Sequence, residues 1–149
     1  MGIACDVVEE DSVRHLVTQA ASLGGIDVWV NNAGILRTKS LADATLADFR
    51  DLIDAHVQGS WLGIKHVAPT MRACGGGSII TMSSIGGKAG LAGQTNYSTA
   101  QAAIVGLTKA AEIGSAAVFL ASDMSSYMTG ALLEVSGGRF MERPPRGIP

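Results

Sequence analysis

The chain has 149 residues, enough for one modest domain, with 47% apolar and 16% charged residues and 19 glycines. That profile fits a soluble α/β protein with many tight strand-to-helix turns. A net charge of -2 without a basic stretch excludes a nucleic-acid partner, whose phosphates demand clustered Lys and Arg. No apolar run approaches the roughly 18–20 residues of a membrane span, so no membrane contact is expected. The first residues carry no secretory pattern, which places the protein in the cytoplasm. Cys5 and Cys74 form no metal-type spacing. Two reduced thiols are the expectation, with a disulfide between them left open.

In chain order, Gly2–Val7 reads as a short buried strand. Acidic Glu9, Glu10 and Asp11 open a helix whose Val13, Leu16, Val17, Ala20 and Leu23 share one face, and Gly24-Gly25 ends it. Ile26–Val30 is a second strand running into Asn31-Asn32-Ala33-Gly34. After a polar loop, Thr45 and Asp48 form a capping box for the longest helix. Its apolar stripe holds Phe49, Leu52, Ile53, His56, Val57, Ser60, Ile64, Val67 and Met71. Pro69 bends its last turn and Gly75–Gly77 stops it. Ser78–Ser84 is a third strand, and a Gly-rich loop leads to a helix from about Tyr97. A helix at 116–122 and a strand at 132–135 follow. Residues 1–138 are expected to form one domain, and 139–149 a Pro-rich, extended tail.

Alternating strands and helices predict a three-layer, mostly parallel α/β sheet, which binds ligands beyond the carboxyl ends of its strands. Asp6-Val7, Asn31–Gly34 and the segment from Ser84 onwards all fall there, converging on one site.

Asn31-Asn32-Ala33-Gly34 after an apolar strand resembles the NNAG motif of the short-chain dehydrogenases/reductases. Ser84, thirteen positions before Tyr97, matches that family's catalytic pair. Asp6-Val7 resembles its adenine-contacting pair, and Met128–Gly130 through Gly137-Gly138 its last strand region. The matches are in the family's order and cover most of the chain. The resemblance implies a Rossmann-like fold and hydride transfer between an alcohol and a ketone with NAD or NADP. Ser84 and Tyr97 are then catalytic, while Asp6, Val7, Asn31, Ala33, Gly34 and Tyr97 contact the cofactor.

The chemistry needs a hydroxyl that protonates the carbonyl oxygen as negative charge develops, and a second donor to hold that oxygen. Tyrosine ordinarily titrates near pH 10. The family therefore places a Lys four residues after the Tyr, on the same helix face. Here that position is Gln101, which hydrogen-bonds but carries no charge. His56 stands where the family has a proton-relaying Asn. It reads either as a neutral core histidine or as a relay, since histidine titrates near neutrality. Asp6 is open to two readings, helix start or adenine contact. Asn31, Ala33 and Gly34 also read as a simple turn, with glycine for backbone freedom.

Against the family, the first βαβ unit with its Gly-rich phosphate loop is lacking, and so are the sixth strand and the substrate lobe, after about Ala111. The cofactor is therefore expected to bind poorly and turnover to be weak or absent. The remaining strands are expected to close into a compact sheet that keeps the pair 26–30 and 78–82. The partner implied is a small alcohol or ketone, and the two long helices suit a homo-oligomer. The competing reading is a non-catalytic interaction module that self-associates through those helices.

Overall fold

The computed structural model describes residues 2–111. The element order is α1 (Glu10–Ala21), β1 (Val28–Asn31), α2 (Leu46–Leu52), a π-helical turn (Ile53–Gln58), α3 (Gly59–Ala73), β2 (Ser78–Thr81), α4 (Ile85–Ala89) and α5 (Thr95–Ala110). The sequence-predicted helix at 116–122 and strand at 132–135, and the tail, lie outside the described residues.

β1 and β2 pair in parallel, Val28 opposite Ser78 through Asn31 opposite Thr81. The ladder extends at both ends, where Ser78 N donates to Asp27 O and Met82 N to Asn31 O. This is the pair expected to survive in a compacted sheet. Both strands are shorter than their apolar runs, because backbone pairing rather than hydrophobicity sets where a strand ends. Gly2–Val7 departs from its reading as a strand. It pairs with neither β1 nor β2, and an apolar run without a neighbour to bond has no ladder to join.

Residues 46–73 form one continuous helical stretch with a π turn at its centre. Thr45 opens it as read: its Oγ1 accepts from Asp48 N at 3.1 Å while Thr45 N donates to the Asp48 carboxylate at 2.9 Å. The wider π turn changes the angular register of the stripe. Leu52, His56, Ser60, Ile64, Val67 and Met71 are buried, whereas Phe49, upstream of the shift, is exposed. Leu23, beyond the end of α1, is exposed as well.

The core gathers Val17 from α1, Ile26, Ile79 from β2, and Ile64, Val67 and Met71 from α3. α3 lies directly on β1. A Cβ at Gly63 would collide with Asn31 Oδ1 and stand 2.8 Å from Trp29 Nε1, so only glycine permits the approach. α1 is tied to α3 by Glu10, whose carboxylate meets Lys65 Nζ at 2.6 Å and His66 Nε2 at 3.0 Å. The hydrogen bonds from Lys65 first, then His66, hold that carboxyl below its ordinary range.

α4 was not anticipated. Five residues with two glycines have poor intrinsic helicity. Ser84 caps it by accepting from Gly86 N at 3.2 Å, and it packs along α5.

Candidate active site

The carboxyl ends of β1 and β2 deliver the turn 32–36 and Met82 to one side of a cleft, and α5 closes the other. The cleft, of about 280 Å³, is lined by Asn32, Ala33, Gly34, Ile35, Leu36, His56, Met82, Tyr97 and Gln101. Five of the residues singled out in the sequence meet here: Ala33, Gly34, His56, Tyr97 and Gln101.

His56 is the hub, presented by the π turn and buried. Its Nε2 lies 2.7 Å from Ile35 O and its Nδ1 3.0 Å from Gln101 Nε2. The edge of its ring meets Tyr97, with centroids 5.4 Å apart and planes at 83°. A Cβ on Gly34 would run into the His56 ring. Gly34 does not have the positive φ expected of a turn glycine. It is there for lack of a side chain, because the turn lies flat against the imidazole.

Gln101 is buried, with 2% of its surface exposed, and is held at three points. Its side chain meets His56. Its carbonyl accepts from Ser83 Oγ at 2.9 Å. α4 crosses it at Gly87, where a Cβ would stand 2.6 Å from the Gln101 carbonyl carbon. Its Oε1 is buried without a hydrogen-bond partner. Such a group costs about 1–3 kcal/mol until something satisfies it.

Ser84 and Asn31 do not line the cleft. Ser84 uses one lone pair on Gly86 N, which leaves its own proton to donate. Gly86 in turn packs against Tyr97, where a Cβ would lie 3.5 Å from Cδ1. Asn31 is engaged across the sheet: Oδ1 accepts from Trp29 Nε1 at 2.7 Å and Nδ2 donates to Thr81 Oγ1 at 3.1 Å. Asp6 and Val7 also stand outside the cleft. Asp6 Oδ1 accepts from Val8 N in a turn leading into α1, and Val7 packs against Gly59.

Two residues that support the site carried no signal in the sequence. Lys39 donates from Nζ to the Asp48 carboxylate at 2.7 Å and from its backbone to Gly93 O at 2.9 Å. It thereby ties the loop after the cleft turn to α2 and to the segment before Tyr97. Its ammonium, then Thr45, keeps the Asp48 carboxyl well below the usual carboxylate range. Asn96 is buried and accepts from Tyr97 N at 2.8 Å, satisfying a free donor of the first turn of α5.

The family model for the short chain dehydrogenases matches residues 1–117. An uncharacterised oxidoreductase of Mycobacterium bovis is 38% identical over 190 aligned positions, covering 95% of this chain and 77% of the relative. Those positions outnumber the 149 residues here, so the relative carries internal sequence without a counterpart in this chain. A short chain dehydrogenase structure from Mycobacterium avium superposes with a TM-score of 0.69 at 36% identity, covering 74% of this chain and 42% of its own. The NADP-bound structure of ElxO gives 0.70 at 31% identity, covering 73% of this chain and 45% of its own. The chain thus spans under half the length of these solved structures.

Proposed function

The chain belongs to the short-chain dehydrogenase family, and on that premise we infer that its cleft serves NAD(P)-dependent hydride transfer between a small alcohol and a ketone. We infer weak turnover, because Gln101 stands where the chemistry benefits from a cation. The observation that carries the reading is the meeting of Tyr97, His56 and Gln101 with the 32–36 turn around one cleft.

The residues fit the nicotinamide-riboside end of such a cofactor. Gln101 holds a buried acceptor without a partner, and Tyr97 stands in the same wall. Ala33 and Gly34 offer a flat turn opposite them. The bound nicotinamide supplies or accepts the hydride. In the reducing direction the Tyr97 hydroxyl gives its proton to the carbonyl oxygen; Ser84, outside the cleft lining but with its proton free, is the second donor the chemistry calls for. In the oxidising direction Tyr97 takes the proton back from the alcohol, and there the missing charge at 101 matters most.

No helix among the described residues is long and apolar enough to cross a membrane. We place the protein in the cytoplasm, a placement supported by its two free cysteines. We also expect a homo-oligomer. An apolar groove of about 510 Å³ over Ile53, Val57, Trp61, Leu62 and Leu107 supports that expectation, and light scattering tests it.

The function is tested by titrating the full chain with NADPH, followed by fluorescence, and then assaying NADPH oxidation with a panel of carbonyl substrates. Saturable binding with slow turnover, lost in Tyr97→Phe, is the expected result. Absence of binding, or turnover indifferent to Tyr97→Phe, contradicts the reading.

A further inference from the structure

The two positions at which this chain departs from its family's catalytic pattern, His56 and Gln101, touch each other. Their contact fixes a proton. Gln101 Nε2 and His56 Nδ1 are 3.0 Å apart, and an amide NH2 in that place pairs with a bare lone pair on Nδ1. The proton of the neutral ring then sits on Nε2, and Ile35 O, 2.7 Å away, accepts it. Ile35 N–H also points at this nitrogen from 3.1 Å as a competing donor, and the shorter contact to Ile35 O selects the protonated Nε2. Gly34, flat on the ring, completes the seat.

We propose that His56 and Gln101 act as one clamp, in which the Gln101 amide fixes the proton on His56 Nε2 and that proton holds the 32–36 turn over the cleft. Gln101 is a positioning residue for the turn, acting through the imidazole. The pair has a second setting. When His56 gains a proton, Nδ1 also becomes a donor and faces the Gln101 amine. The amide must then rotate to present Oε1, which gives that oxygen its missing partner and leaves Nε2 without one.

The titratable group in contact with the ring is Tyr97. Of the elements packed on the π turn, α2 carries Asp48 and Asp51, paired with Lys39 and Arg37, together with Arg50. α3 carries Lys65 and His66, both paired with Glu10, together with Arg72, and α5 carries Lys109 besides Tyr97. The π turn itself carries Asp54.

The proposal deepens the reading of the cleft, but its test needs no nucleotide, so the two fail separately. In the full 15N-labelled chain, ring nitrogen shifts of His56 are expected to show an unprotonated Nδ1 and a protonated Nε2 in the neutral form. The Gln101 side-chain amide protons are expected to shift when their acceptor is removed in His56→Phe. A neutral ring protonated on Nδ1, or a Gln101 amide indifferent to His56, overturns the proposal.

Gln101→Leu is expected to mix the tautomers, bringing both ring nitrogens to intermediate shifts, and to broaden the backbone resonances of residues 32–36. Gln101→Glu offers Nδ1 only acceptors, so it is expected to move the proton of the ring to Nδ1. A folded leucine variant with an unchanged tautomer and unchanged 32–36 resonances overturns the clamp. If that variant does not fold, the tautomers of the wild type and of Gln101→Glu decide.

Discussion

Gln101 Nε2 lies 3.0 Å from His56 Nδ1, joining residues 45 positions apart inside the cleft wall. Two substitutions that look independent in the sequence are therefore one local arrangement. On the proposed function, a neutral amide stands where the chemistry benefits from an ammonium.

The contact between Gly34 and His56 gives the first prediction. Gly34→Ala would drive a methyl into the imidazole, and overpacking of this kind costs about 1–3 kcal/mol. Urea denaturation is expected to show that loss. His56→Ala in the same chain is expected to recover part of it, since removing the ring makes room. Equal losses with and without the ring would mean that the glycine serves the backbone instead.

Asn31 is expected to matter for stability rather than for ligand binding. Its amide satisfies both Trp29 Nε1 and Thr81 Oγ1 across the sheet. Asn31→Leu leaves those groups unpaired, at about 1–3 kcal/mol each if they stay dry. Denaturation followed by tryptophan fluorescence checks this. Nucleotide affinity in the folded fraction should be unchanged.

Acid is expected to weaken the start of α2. Lys39 and Thr45 lower the folded-state pKa of Asp48, so its contribution is present above the ordinary aspartate pKa of about 3.9 and is lost as pH falls through the folded value. Stability should decline below about pH 4, and Asp48→Asn should flatten that decline. Thr45→Ala should cost about 1 kcal/mol at neutral pH through loss of the cap.

Features set by nearby residues were legible in the sequence. The Thr45–Asp48 box needs only its own four residues, and the strands leading to Asn31 and Ser84 announce themselves as apolar runs closed by polar turns. Gly2–Val7 has the same local character and forms no ladder, because a strand exists only with a neighbour. α4 was hidden for the opposite reason: its glycines oppose a helix that its cap and α5 impose. The π turn at 53–58 leaves no mark in an apolar stripe that also suits an α-helix, yet it presents His56 to the cleft. The seat of Gly34 on His56, and the hold of His56 on Gln101, depend on that turn and on contacts far apart in the chain. Sequence spacing located the participants, and only the packing related them.

We propose a dehydrogenase cleft whose charge partner has been replaced. This is tested most directly by the initial rate of NADPH-dependent carbonyl reduction, and of the reverse oxidation, in the wild type and in Gln101→Lys. The lysine can donate to His56 Nδ1 as the amide does, so the clamp should persist. It should raise kcat/KM about 10- to 100-fold, and the oxidising direction should gain most near neutral pH. Rates unchanged or lowered in a folded Gln101→Lys chain that still binds NADPH would contradict the account.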